Sequence, residues 1–252
     1  MSEFDDVVRF LRQQKELGHS SVVLEGGLPS VPEEKAEPRW MKGAPEVPGP
    51  GIKVRAPELV VFDENELQDH TLDQLVEAIS TCTKCKLCEG RTNTVPGEGP
   101  SDAKLMVVGE GPGANEDRQG RPFVGRAGKL LDDILAAIEM PRSQVYICNI
   151  VKCRPENNRN PEADEIKACI PYLVRQIELI KPSVILAVGS VAACSLLETR
   201  KSLGQLRNQV HEYRGIPLIV TYHPAALLRN PQWKKPTWDD VRIARRIVDS
   251  RN

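Results

Sequence analysis

The chain has 252 residues, of which 40% are hydrophobic and 27% charged, with a net charge of −1. That suffices for one well-buried domain with extensions, and no apolar run approaches the roughly 18 residues a membrane helix needs, so no membrane partner is expected. The opening MSEFDDVVRF is acidic and lacks the basic start and apolar stretch of a secretion signal, which sets the expectation of a cytoplasmic protein.

Charge is split along the chain. Residues 1–78 carry 16 acidic and 8 basic side chains, whereas residues 79–252 carry 19 acidic and 26 basic ones. The longer part therefore favours a polyanion and the front repels one. Within residues 1–18, Phe4, Val7, Val8 and Leu11 recur at helical spacing and predict a short amphipathic helix. Residues 19–68 follow as a Pro-rich linker, holding Pro29, Pro32, Pro38, Pro45, Pro48, Pro50 and Pro57 among charges and glycines. Such composition buries too little apolar surface to offset ordering entropy, so a disordered extension is expected.

From about residue 70 the chain becomes periodic. Thr71 is placed to cap a helix through Leu75, Val76 and Ile79. Residues 104–109 (KLMVVG), 144–149 (QVYICN), 183–189 (SVILAVG) and 217–222 (PLIVTY) read as buried strands. Helices are predicted over 125–139, over 161–180 with Pro161 in the first turn, from 190 to about 197, and over 238–249. Continuous apolar strands alternating with helices imply a parallel sheet covered on both faces.

Each strand ends in polar or glycine-rich sequence: Gly109-Glu110-Gly111-Pro112-Gly113 with Glu116 beyond, then Asn149, Gly189-Ser190, and His223-Pro224. In a parallel sheet those ends converge on one cleft. The first loop has neither the spacing of a dinucleotide motif nor the lysine of a P-loop. Seven cysteines, an odd number, favour a metal or cluster site over a disulfide framework in a reducing compartment. Cys82 and Cys85 form C-x-x-C, Cys88 repeats the spacing, and Cys153 and Cys169 lie far downstream. Spacing alone leaves zinc and iron–sulfur both open. Cys148 alternates with Asn149 and is assigned to the core, as is Cys194 within its helix.

Three runs then become specific together: GEGPGANEDRQGRPFVGRAGKLLD (109–132), YICNIVKCRPENNRNP (146–161) and YHPAALLRNP (222–231). With the cysteines they resemble the family 4 uracil-DNA glycosylases over roughly residues 75–250. The resemblance implies a three-layer αβα sandwich with a four-stranded parallel sheet, a catalytic domain over 69–252, and removal of uracil from single- or double-stranded DNA by a monomer. It implies that Phe123 stacks on the flipped base, Asn149 reads its edge, and His223 donates toward the leaving carbonyl. Glu110 and Gly111 lie beside sugar and base, and Glu116 tunes the pocket or positions water. Leu228 becomes a candidate wedge and Arg229 a phosphate contact, as do Lys84, Lys86, Arg91, Lys152, Arg154 and Arg159 around the cysteines. Cys82, Cys85, Cys153 and Cys169 become the ligands of a 4Fe-4S cluster. The best-known uracil glycosylases carry an aspartate where this chain has Gly111, which leaves the water-guiding group open.

Other readings meet specific objections. A protein that traps itself on the abasic sugar carries an inserted basic loop with a histidine, whereas RPENNRN (154–160) is short and has none. A noncatalytic DNA-binding module would not need Asn149, Phe123 and His223 intact. An oxidoreductase lacks a convincing cofactor loop. The acidic tail is a candidate for contact with a clamp or repair protein.

Overall fold

The computed structural model describes residues 37–54 and 67–251. The expected helix within residues 1–18, linker residues 19–36 and 55–66, and any tail-mediated partner contact of residues 1–36 lie outside them. Contacts separate Met1–Arg39 from Trp40–Asn252, and the second unit is described here.

Six strands form one sheet: β1 (Pro50–Val54), β2 (Leu105–Gly109), β3 (Val145–Asn149), β4 (Val184–Val188), β5 (Val210–Tyr213) and β6 (Ile216–Thr221). Their order is β1-β5-β6-β4-β2-β3. The four predicted strands are the parallel centre, β6-β4-β2-β3. Two strands beyond the expectation widen it: β5 joins β6 antiparallel and β1 joins β5 parallel, so the sheet is mixed. The β5–β6 turn passes through Arg214 and Gly215, both at positive φ (50° and 83°). That pair of left-handed residues makes the two-residue hairpin whose twist suits flanking strands.

The helices are α1 (Leu72–Ser80), α2 (Leu87–Gly90), α3 (Ala114–Gln119), α4 (Gly125–Ala137), α5 (Ala163–Ile180), α6 (Ser190–Leu197), α7 (Leu203–Leu206), α8 (Pro224–Arg229) and α9 (Lys234–Ser250). Thr71 caps α1 as expected, in a reciprocal box with Gln74. Pro161 lies outside α5, because Glu162 and Glu165 form the capping box that starts the helix two residues later. The last helix begins four residues earlier than predicted, since Pro236 is tolerated in a first turn. No described helix is long and apolar enough to cross a membrane.

Alternate residues of each central strand feed two separate cores, the signature of a three-layer sandwich. Met106, Val108, Cys148 and Ala187 pack with α1, α5 and α6. Leu105, Val107, Ile147 and Leu186 pack with α4, α9 and Trp40.

The assignment of residues 19–68 to a linker is corrected over 40–54. Trp40 is 1% exposed, and the Arg245 guanidinium lies over its ring at 5.1 Å. Arg242 and Arg246 of α9 donate to Lys42 O and Ala44 O, both at 3.1 Å. In β1, Ile52 N–H donates to His211 Nδ1 at 2.9 Å. His211 Nε2 therefore carries the proton and donates to Leu206 O at 2.6 Å. Gly51 admits that imidazole: a Cβ at residue 51 would lie 2.7 Å from His211 Cε1. If Trp40 is part of the core, Trp40→Ala lowers unfolding free energy by about 3–5 kcal/mol in urea titration; a change under about 0.5 kcal/mol would mark residues 40–54 as peripheral.

Candidate active site

The carboxyl ends of β2, β3, β4 and β6 open onto one cleft of about 680 Å³. Glu110 and Gly111 line it from the loop after β2, Glu116 from α3, Phe123 from the α3–α4 loop, Asn149 from the end of β3, and His223 and Arg229 from the two ends of α8. Every strand end singled out from the sequence thus reaches the same space. Leu228 is an apolar side chain left 39% exposed, while its neighbour Leu227 is fully buried.

Phe123 is held in a left-handed conformation, φ 47°, which a bulky residue adopts only where its surroundings dictate it. Those surroundings are visible. Glu116 Oε1 accepts from Val124 N–H at 2.9 Å. Arg142 donates to Pro122 O at 2.5 Å and Phe123 O at 3.2 Å, and is itself fixed by Glu98 at 2.6 Å and Asp132 at 2.9 Å. Gly128 of α4 leaves room for the Phe123 carbonyl, which any Cβ there would overlap. The ring then lies on the end of β2: a Cβ at Gly109 would sit 2.5 Å from Phe123 Cζ and closer still to Asn149 Oδ1. Gly109 is therefore the residue that lets ring and amide meet. Its part was missed in the sequence, as were those of Arg142 and Glu98.

The Phe123 ring stacks on His223, centroids 5.4 Å apart at 29°. His223 caps α8, its Nδ1 accepting from Ala225 N–H at 3.2 Å. The neutral ring therefore carries its proton on Nε2, the remaining nitrogen. Burial, aided by the Arg229 charge, pushes the His223 pKa down to about 4, so the neutral form dominates near neutrality. Burial likewise pushes the Glu110 carboxyl upward. A Cβ at Gly111 would lie 2.7 Å from Val151 Cγ2, so an aspartate there would displace Val151.

Asn149 is 2% exposed. Its backbone carbonyl accepts from Lys152 Nζ at 2.8 Å, and the same amine donates to Gln176 Oε1 at 2.7 Å. Gln176 is anchored in turn on Pro96 O at 2.7 Å. Lys152 is 1% exposed, which overturns its assignment as a phosphate contact. Lys86 and Arg159 engage Glu162 and Glu165, each pair at 2.6 Å.

Behind Lys152 lies a second recess lined by Cys82, Cys85, Cys88, Cys153 and Cys169, with Ile79, Leu87 and Tyr172 supplying apolar wall. Lys152 N–H donates to Cys169 Sγ and Arg91 to Cys153 Sγ, both at 3.2 Å. Arg91 also donates to Cys82 O at 2.7 Å, so it frames the recess. Burial pushes the Cys169 thiol up to about 12 and raises Cys153 and Cys85 as well. Among the described residues no three His, Cys, Asp or Glu side chains are grouped to hold a single metal ion. Cys148 is fully buried in the core. Cys194 is only half-buried, contrary to expectation, and donates to Lys201 O at 3.5 Å.

Comparison with known proteins agrees in its direction. The family profile described as "Uracil DNA glycosylase superfamily" matches residues 96–243. The "Type-4 uracil-DNA glycosylase" of Thermotoga maritima is 47% identical over 187 residues, 71% of this chain and 97% of the relative. That of Sulfurisphaera tokodaii is 46% identical over 187 residues, 71% of this chain and 85% of the relative. The "Type-5 uracil-DNA glycosylase" of Pyrobaculum aerophilum is more distant, 32% identical over 154 residues, 53% of this chain and 66% of the relative.

Proposed function

The chain belongs to the uracil DNA glycosylase superfamily, and within it to the type-4 uracil-DNA glycosylases; from that membership we propose that its cleft excises uracil from DNA by hydrolysis. One observation carries the reading: an aromatic face, a buried amide and a neutral imidazole share the end of one parallel sheet.

The target base must leave the duplex stack to be reached. Phe123 offers the face on which it stacks. The Asn149 amide complements the carbonyl and N–H edge of uracil and mismatches the amino edge of cytosine. His223 Nε2–H points its donor at the O2 carbonyl. As the bond from N1 to C1′ breaks, its electron pair goes to the uracil ring and positive character grows on the sugar. A donor aimed at that anion stabilises the transition state more than the ground state. A neutral imidazole is suited to this, because it donates without having to give up its proton. Water then attacks C1′, and the proton it loses passes through solvent to the departing uracil anion, leaving uracil and an abasic site. Glu110 and Gly111 border the sugar. Glu116 acts first as the anchor of the Phe123 loop and is the second carboxylate facing the cleft. Leu228 fills the gap left by the base, and Arg229 meets phosphate.

Cys82, Cys85, Cys153 and Cys169 fit a 4Fe-4S cluster. Thiols gathered around one recess, with N–H donors aimed at two of the sulfurs, form a donor set suited to thiolate ligation of iron. When bound, the cluster supplies iron–thiolate bonds that staple the segment before β2 to the segment after β3 and to α5. Cys88 lines the same recess as a fifth thiol.

Single-uracil oligonucleotides treated with protein and then alkali are expected to break at the uracil; intact DNA at high protein concentration would sink the reading. His223→Ala and Asn149→Ala are each expected to lower kcat by about 100-fold or more while DNA affinity changes little. Equal losses in both would remove the assigned roles. Because His223 stays neutral until pH nears 4, kcat/KM shows no histidine limb between about pH 5 and 8. A limb near 6.5 that vanishes in His223→Gln would overturn that assignment. Purified protein is expected to be brown, with iron and acid-labile sulfide lost in Cys169→Ser; zinc in their place would overturn the cluster.

A further inference from the structure

The mouth of the cleft carries a stack of three flat groups that the excision chemistry leaves unused. The Arg207 guanidinium lies over the Tyr222 ring at 4.6 Å. Tyr222 stacks on the Trp233 indole, centroids 4.6 Å apart with planes within 12°. The base of this stack is rigid. Arg207 donates to both carboxylate oxygens of Asp240, at 2.7 and 3.0 Å, and to Pro236 O at 2.8 Å. Asp240 also accepts from Thr221 Oγ1 at 2.7 Å. The top is held through its backbone: Trp233 N–H donates to Asn230 O at 3.0 Å, and its carbonyl accepts from Thr237 Oγ1 at 2.8 Å.

Tyr222 and Trp233 both line the cleft, and the indole is only half-buried. That contrasts with Trp40, which packs at 1% exposure where an indole serves the core. Among the described residues, Tyr222 is the one ring stacked on Trp233. Arg229, Lys234 and Lys235 stand exposed in the same stretch of chain. An aromatic plane fixed from below, half-buried in the cleft wall and flanked by cations has the chemistry of a single-strand stacking site.

We propose that Trp233 is a platform for a nucleobase next to the extruded uracil on the same strand, added as the fourth layer of the Arg207–Tyr222–Trp233 stack. The proposal rests on the glycosylase reading and deepens it. In a duplex the neighbouring base is already paired and stacked, so the platform serves unpaired DNA. It accepts any base, since every base has a flat π-face. Arg229 and Lys234 take the adjoining phosphates.

The test compares wild type, Trp233→Ala and Trp233→Phe on single-uracil oligonucleotides, single-stranded and double-stranded. Trp233→Ala is expected to raise KM on single strands about 10-fold or more, with a much smaller rise on duplex, and the loss falling on KM rather than kcat. Trp233→Phe, which keeps a plane, recovers most of it. A second arm binds the protein to single strands carrying 2-aminopurine beside an abasic site. Its fluorescence is quenched by wild type and not by Trp233→Ala. An unchanged KM, an equal rise on both substrates, or quenching that persists in Trp233→Ala overturns the platform. Wild type inert on every uracil substrate overturns the glycosylase reading instead, and the fluorescence arm, being a binding measurement, still decides the platform.

Discussion

A single buried lysine joins the cleft of this protein to its cysteine recess. Lys152 Nζ holds the carbonyl of Asn149, while the backbone N–H of the same residue reaches Cys169 Sγ. Burying a lysine without full hydrogen bonding is costly. Its amine therefore finds Asn149 and Gln176 as acceptors, and Gln176 is tied onward to Pro96. Asn149 and the cysteine recess are thus parts of one hydrogen-bonded frame. Residues 149 to 153 are buried without a break, so the cleft and the cysteine recess share one packed segment.

On the other side of the cleft the constraint is steric. Phe123 occupies a backbone region that costs roughly 1–3 kcal/mol for a residue of its kind. The strain persists because four separate groups impose it: the Glu116 carboxylate, the Arg142 guanidinium, and the missing side chains of Gly109 and Gly128. The result is a ring at the end of β2, stacked on His223 before any ligand arrives. Preorganisation of this kind moves the ordering cost from binding to folding.

How far the sequence discloses this depends on where each signal resides. The central strands are readable because they are buried on both faces, so KLMVVG and SVILAVG are continuous apolar runs. β5 (VHEY) buries only alternate residues, and β1 (PGIKV) is short and begins with proline, so composition mistakes it for linker. The convergence of Glu110, Asn149 and His223 is readable because strand ends share a side in a parallel sheet. Arg142 and Glu98 are not readable: their meaning arises only when residues 19 to 44 positions apart come together. Lys152 misleads for a plain reason, since a lysine amid basic residues looks like a phosphate contact until its burial is known. Cysteine spacing offers Cys88 beside Cys82 and Cys85, and by itself names neither the ligand set nor the metal.

β1 has one further consequence. A sheet that ended at β5 would offer a row of unpaired backbone groups on a strand whose outward neighbour is nothing but solvent. Such an edge templates pairing with other chains. β1 covers it and is itself a poor template: five residues long, opened by Pro50 and carrying Lys53. At the opposite margin, the antiparallel bridge from Glu98 to Ile147 closes off β3. The Pro-rich stretch that composition would assign to a tether therefore covers the edge of β5 and leaves a short, proline-opened strand as the margin of the sheet.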